Sequence, residues 1–322
     1  MQPSAEPPPI LPPPARRASD AQAASTPPGK RGSGRSAYAR LAALFALAAA
    51  IAAVFLLLQS LLGSKSTKTV KPPSVIKVLV PEGKTRLQIA QIAAANGLAG
   101  SYRRASRRSP QLNPVDYGAP RGTPDLEGFL FPATYYMNPG ESVGRLVEEQ
   151  LLAFHENFGA REIDRARALG VTPYQLLTVA SMVEREAQIP GDRPKIAAVI
   201  YNRLNQGMPL GIDATIYYAV ELEKGIATYT HELTEAQLHI NSPYNTRTHT
   251  GLPPTPISNP GVASILAAAH PAHVPYLYYV AGADGCGEQV FSTTAAAFEA
   301  HAAAYDAAVR SNGGRPPVCK KK

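Results

Sequence analysis

From Leu41 to Leu62 the chain carries no charge, and only Gln59 and Ser60 in that stretch are polar. Twenty-two residues at about 1.5 Å each make a helix of about 33 Å, long enough to cross the hydrocarbon core of a bilayer. A cleaved signal peptide fits this run poorly. The run is long, begins about forty residues into the chain and lacks a small-x-small exit site. The expectation is a retained single-pass transmembrane helix over 38–63, which forces the rest of the chain to fold on one side of a membrane. Residues 1–37, rich in Pro, Ala, Ser, Gly and Arg, cannot bury enough apolar surface to order and read as a disordered tail. Residues 64–74, almost all Ser, Thr, Lys and Pro, read as a linker. Basic residues flank the span evenly: Lys30, Arg31, Arg35 and Arg40 before it, Lys65, Lys68, Lys71 and Lys77 after it. Charge alone therefore leaves the orientation open.

The chain has 322 residues, 45% of them hydrophobic, enough for one or two real cores. Its net charge of +8 comes largely from the flanks of the span and from Lys320-Lys321-Lys322. Arg103, Arg104, Arg107 and Arg108 add one basic cluster. Nucleic acid is not an expected partner, because no recognition motif and no interleaving of basic residues with aromatics accompanies the charge. Cys286 and Cys319 have no metal-ligand spacing. A bond between them in an oxidising compartment stays open, since Cys319 falls in an expected flexible basic tail, 311–322.

The soluble part reads as α+β. Val75–Val80 is a short strand, Pro81-Glu82-Gly83 turns the chain, and Leu87, Ile89, Ala90, Ile92 and Ala93 mark a helix ending at Asn96-Gly97. This strand–turn–helix unit resembles a small LysM-like subdomain, expected over 75–125. Residues 101–124 are turn-rich and without period, and Leu126–Pro132 reads as a strand-like apolar run carrying one acid. Helices are expected over 143–157, 163–169, 172–187, 193–205 and 214–220. Residues 241–261, dense in Pro and Gly, read as a long surface loop, the kind of segment that often carries function. A short helix over 262–269, a hairpin of 276–280 with 289–292 and an Ala-rich helix over 295–309 close the chain.

Glu184 stands out within the helix opened by Thr172-Pro173, which supplies a cap and a first-turn proline. Leu176, Leu177, Ala180, Val183 and Ala187 form one apolar stripe at about 100° per residue. Glu184 projects into that stripe. A carboxyl held against apolar surface resists ionisation and can deliver a proton near neutral pH, which makes Glu184 a candidate general acid. The competing reading is a structural ion pair with Arg185 or Lys195, and helix geometry alone favours it. For Asp213, N-capping of the segment after it competes with a role at a site. The neighbouring Glu186 is expected to pair with Arg203 or Lys195.

Several separated segments together resemble the membrane-anchored endolytic murein transglycosylase family, also called YceG-like. They are Val80-Pro81-Glu82-Gly83, Leu126-Glu127-Gly128-Phe129-Leu130-Phe131-Pro132, Ala180-Ser181-Met182-Val183-Glu184-Arg185-Glu186 and Tyr201-Asn202-Arg203-Leu204. Further along stand Tyr244-Asn245-Thr246, Gly251-Leu252-Pro253-Pro254, Pro256-Ile257-Ser258-Asn259-Pro260-Gly261 and His270-Pro271-Ala272. The resemblance covers roughly residues 76–305. It implies a transglycosylase catalytic domain over 126–310 and places the catalytic acid on Glu184, with Asp213, Tyr244, Asn245, Thr246 and Asn259 as substrate-binding residues. It further implies non-hydrolytic cleavage of the MurNAc-β-1,4-GlcNAc bond of nascent peptidoglycan, leaving 1,6-anhydroMurNAc ends, with no cofactor and no metal. The N-terminus would then lie in the cytoplasm and the catalytic domain would face the cell wall from the bacterial inner membrane. Expected partners are peptidoglycan strands, the lipid bilayer and peptidoglycan polymerases. The sequence departs from the family pattern at Ala133, at Ala214 and at Glu288-Gln289, where the family tends to carry Asp, Pro and a nearby His.

Two other classes compete. A non-catalytic, membrane-tethered peptidoglycan-binding scaffold would share the anchor and the LysM-like unit. A metal hydrolase would draw on His231, His239, His249, His270 or His273, but His270-Pro271-Ala272-His273 lacks the i, i+4 helical spacing of common zinc motifs.

Overall fold

A computed structural model describes residues 35–61, 74–225 and 233–319. The expected tail as far as residue 34, the linker positions 64–73, His231 and Lys320-Lys321-Lys322 lie outside the described residues. Two units divide the chain, residues 1–71 and residues 72–322. The first contains α1 (Arg35–Leu61), whose segment Ala42–Ser60, at a mean hydropathy of 2.5, is long and apolar enough to cross a membrane. All the side chains of that segment are exposed within the unit.

The second unit is helix-rich with two small sheets. In chain order it runs β1 (Ile76–Leu79), α2 (Arg86–Ala95), α3 (Tyr102–Ala105), a 3-10 turn at Pro114–Tyr117, β2 (Thr134–Met137), α4 (Val143–Asn157) and α5 (Ala160–Ala168). There follow α6 (Pro173–Glu186), α7 (Arg193–Asn205), α8 (Asp213–Lys224), α9 (Glu235–Leu238), α10 (Val262–Ala269), β3 (Tyr278–Ala281), β4 (Gln289–Ser292) and α11 (Ala295–Ser311). β1 pairs antiparallel with β2, Ile76 opposite Met137 and Leu79 opposite Thr134, so this ladder joins residues on both sides of position 125. β3 and β4 form the expected hairpin.

The strand expected at Leu126–Pro132 is instead a set of tight turns, and the strand lies just beyond it as β2. The reason is burial on every side. Leu126, Phe129 and Leu130 are fully covered, and Glu127 turns inward to accept both contacts from the Arg86 amide. Gly128 sits at φ +91°, where a β-carbon would lie 2.5 Å from Pro256 Cγ, so the segment folds back where a pleated strand would continue.

α6 organises this unit. Thr172 and Gln175 form a reciprocal capping box at its start, with Pro173 in the first turn. From Leu176 to Val183 every residue is buried, because α10, α7, α5 and α8 surround the helix. The apolar stripe seen in sequence is thus one side of a helix enclosed around its circumference. Its polar residues bond locally: Thr178 Oγ1 donates to the Tyr174 carbonyl at 2.9 Å and Ser181 Oγ to that of Thr178 at 2.7 Å. Beside it, Phe129, Phe154 and Phe158 pack with ring centroids 5.0 and 5.1 Å apart, closed by the edge of Tyr117. Cys286 and Cys319 are joined in a disulfide that ties the C-terminal segment to the β3–β4 turn.

Candidate active site

Glu184 lies in the last turn of α6, where the buried helix meets two loops. Its side chain is 7% exposed. The Gly261 amide donates to Oε2 at 3.0 Å. Oε1 accepts no hydrogen bond among the described residues. Arg193 Nη2 stands 3.9 Å from it, beyond hydrogen-bond reach, and Arg193 Nε is engaged by Ser264 Oγ at 3.1 Å. Neither cation weighed from sequence pairs with this acid. Arg185 Nη1 donates to the Gly83 carbonyl at 2.9 Å, and Lys195 pairs with Asp192.

The loop that presents Gly261 is pinned by Asn259. Its backbone exchanges bonds with the 83–84 turn, from Gly83 N to Asn259 O at 2.9 Å and from Asn259 N to Lys84 O at 3.0 Å. Its side chain accepts from the Gly128 and Leu130 amides and donates to Lys84 O and to Glu127 Oε1 at 2.7 Å. One fully buried amide therefore locks three segments, 82–84, 127–130 and 259–261, around the catalytic candidate. On the other side, Gly83 at φ +72° brings the turn over the Glu184 side chain, its β-position 3.4 Å from Glu184 Cγ. Glu82, next to it, faces the same place. In the sequence Glu82 reads only as a turn residue, although it stands in Val80-Pro81-Glu82-Gly83, one of the segments that carry the family resemblance.

The remaining candidates fall into two sets. Asn245 and Thr246 are buried with their polar atoms engaged. Asn245 Nδ2 donates to the Leu238 and Ile240 carbonyls, its Oδ1 accepts from the Arg247 amide, and Thr246 Oγ1 meets Ile212 N and Thr215 Oγ1. Tyr244 bonds Thr255 Oγ1 at 2.9 Å and packs edge-on against Tyr218. With Asn259, these residues belong to the frame of the site. Asp213 is half-buried and accepts two bonds on Oδ1 from Arg247, at 3.0 and 2.6 Å. It is the first helical residue of α8 and makes no side-chain cap bond, so the N-cap reading of Asp213 does not hold.

Asp213 and Arg247 line a cavity of about 500 Å³ together with Glu186, Arg203, Tyr278, Tyr279, Gln289 and Phe298. Glu186 does not pair with Arg203 or Lys195. It accepts from the Tyr279 hydroxyl at 2.9 Å and from the Ala214 amide at the start of α8. The expected cations are engaged elsewhere: Arg203 donates to the Leu210 and Leu277 carbonyls and lies over the Tyr278 ring, and Lys195 lies over Phe291. Burial raises the Glu186 carboxyl above the ordinary range, and the Asp213 charge adds to this while the Tyr279 hydrogen bond opposes it. Gln289 Oε1 is buried here without a hydrogen-bond partner among the described residues. The cavity thus offers aromatic faces, a carboxylate–guanidinium pair and an unfilled acceptor, on the side of α6 that Glu186 faces.

The YceG-like family matches residues 46–304. The endolytic murein transglycosylase of Bacillus subtilis (strain 168) is 42% identical over 173 residues, covering 52% of this chain and 45% of that protein. Two proteins of the same name from Streptococcus pneumoniae strains are 36% identical over 156 residues, covering 48% of this chain and 28% of theirs. The matched region spans less than half the length of these curated relatives. A crystal structure of a yceG-like protein from Listeria monocytogenes superposes with a TM-score of 0.60 at 32% identity, over 72% of this chain and 77% of that one. With its family match extending over most of the sequence, the chain belongs to the YceG-like family.

Proposed function

We propose that this protein is a membrane-anchored lytic transglycosylase that cuts nascent peptidoglycan strands from within, with Glu184 as general acid and then base. The observation that carries the proposal is the unequal treatment of the two Glu184 oxygens. The Gly261 amide donates to Oε2, whereas Oε1 accepts no hydrogen bond among the described residues and has the Arg193 guanidinium 3.9 Å away. Membership of a family whose named relatives are endolytic murein transglycosylases supports the substrate class.

In the proposed reaction the Oε1 proton passes to the glycosidic oxygen as the bond from it to the MurNAc anomeric carbon breaks. The Glu184 carboxylate then takes the proton of the MurNAc C6 hydroxyl, whose oxygen bonds to the anomeric carbon. A 1,6-anhydro ring forms and no water is consumed. The internal nucleophile brings a large effective concentration, so one acid suffices where ordinary glycosidases use two. The cavity of about 500 Å³ lined by Glu186, Asp213 and Arg247 is of ligand-pocket size, and its Asp213–Arg247 rim and Tyr278 face suit sugar hydroxyls and rings. Asn245, Thr246 and Asn259 contribute by holding the loops, with Tyr244 at their edge. The LysM-like unit, taken as 75–125, would add grip on the glycan ahead of the catalytic domain.

The orientation we propose puts the N-terminus in the cytoplasm and the folded part toward the cell wall. The Cys286–Cys319 bond supports it, since disulfides persist in oxidising compartments and are rare in reducing cytosol. Action on strands as they are made would place the enzyme beside peptidoglycan polymerases. The test is full-length protein in detergent with uncrosslinked glycan strands, followed by mass analysis of the ends. Anhydro ends, lost in Glu184→Gln, are expected. Strands bound but left intact would establish the scaffold alternative, and ends heavier by one water would establish a hydrolase.

A further inference from the structure

Gly261 separates two carboxylates. Its amide holds Glu184, and the space where a β-carbon would project from it is filled by the carboxyl group of Glu82. Glu82 is exposed, lies in the turn between β1 and α2, and makes no hydrogen bond or ion pair among the described residues. Its neighbour Gly83 covers Glu184 and is pinned there by the Asn259 carbonyl and by Arg185. The fold thus brings a carboxylate that makes no hydrogen bond against a second one, and of the nearby charges Arg193 opposes their repulsion. Carboxylates held together in this way are a common mark of reaction centres.

We propose that Glu82 is a second carboxylate of the reaction centre, placed to face the positive charge that develops at the anomeric carbon as Glu184 gives up its proton. The inference rests on the transglycosylase reading and deepens it. Glu82 forms no bond and transfers no proton. Its fixed negative charge stabilises the cationic transition state more than the neutral ground state, which is how preorganised charge raises kcat. Partial burial, then the charge of Glu184, raise the Glu82 carboxyl above the ordinary carboxylate range, and the Arg193 charge opposes them and favours the ionised form. Of the other charged groups here, Arg185 is turned to the Gly83 carbonyl and Glu186 to Tyr279 across the helix. The proposal also explains why a glycine stands at 261, since a side chain there would expel the Glu82 carboxyl.

The experiment compares full-length wild type, Glu82→Gln and Glu82→Asp on uncrosslinked glycan strands, with kcat, KM and melting temperature measured for each. Glu82→Gln keeps the shape and removes the charge. We expect kcat to fall about 10- to 100-fold, with KM within about twofold and a melting temperature equal to or above that of wild type. Glu82→Asp should recover part of the loss. A Glu82→Gln protein with wild-type kcat, or one impaired only through KM or through a lower melting temperature, overturns the proposal. Water-added ends from the wild type would refute the transglycosylase reading while the kcat ratio still decides the role of Glu82. A wild type that cuts nothing refutes both.

Discussion

Glu184 and Glu127 are both nearly closed off from solvent, one with a side chain 7% exposed and the other a residue 2% exposed, yet they are treated in opposite ways. Glu127 accepts from the Arg86 amide on both oxygens, from Asn259 Nδ2 at 2.7 Å and from the Tyr218 hydroxyl at 3.2 Å. Every acceptor direction is filled by the protein. Glu184 has one oxygen held by one amide, and the other accepts no hydrogen bond among the described residues, with Arg193 3.9 Å away. Burial alone does not distinguish these two acids. Their unfilled acceptor positions do, because a fully bonded carboxylate has nowhere to present a proton to a ligand. The same network contains Glu221, buried and bonded to Thr85 Oγ1 and Gln88 Nε2, which again leaves the protein as its only environment.

This contrast can be broken by substitution. The largest effect is expected at Glu184→Gln, which should lower strand cleavage by about 10²- to 10⁴-fold, the share that general acid catalysis supplies, while leaving the melting temperature nearly unchanged. Glu127→Ala should do the reverse. Leaving the Arg86 amide, Asn259 and Tyr218 without an acceptor is expected to cost about 3–5 kcal/mol, read as a drop in the denaturation midpoint. If Glu127→Ala kept its stability and lost only activity, the distinction between the two acids would be lost.

A third measurement uses pH. Burial, with Asp125 and Glu221 adding to it, pushes the Glu127 carboxyl up from 4.5 to about 8, against the Arg86 amide bonds that pull it down. A raised folded value means that the contribution is complete below the unfolded value and fades as pH rises through the folded one. Stability should therefore decline between about pH 5 and pH 8, by no more than roughly 4 kcal/mol from this one group. The proton can sit on Oε2 toward the Tyr218 oxygen, because Tyr218 has a further partner in Thr255. Glu127→Gln can place its amide hydrogens on the same path, and it should flatten the decline. The smallest effect is expected at Gly261→Ala, where the added methyl displaces Glu82 from Glu184. Cleavage should fall about tenfold, which is about 1.4 kcal/mol of barrier, with modest loss of stability. Unchanged cleavage there would mean that the second carboxylate is idle.

How much of this was legible in the sequence follows from the range of the interactions. α6 was legible because its signals are local: Thr172-Pro173 at the start and a 3.6-residue period after it. Glu184 could be singled out for the same reason. Its amide partner could not, because Gly261 lies 77 residues away along the chain and is brought in by a loop. The resemblance marks Asn245, Thr246 and Asn259 as substrate-binding residues, and sequence alone does not show that the structure buries them. Asn245 bonds backbone groups of its own loop, Thr246 the Ile212 amide and Asn259 the Gly128 and Leu130 amides. Glu186 was matched to cations by charge, but Arg203 and Lys195 were drawn to carbonyls, aromatic faces and Asp192. The displaced strand shows the same limit: four residues, Thr134–Met137, carry too little pattern to compete with the longer apolar run before them.

The Cys286–Cys319 bond closes a covalent ring of chain that contains β4 and α11. A protease cut anywhere between the two sulfurs would leave the polypeptide migrating as one band until a reductant parts the fragments. The far end of the protein thus records, in a simple gel, whether the molecule has matured outside the reducing interior of the cell.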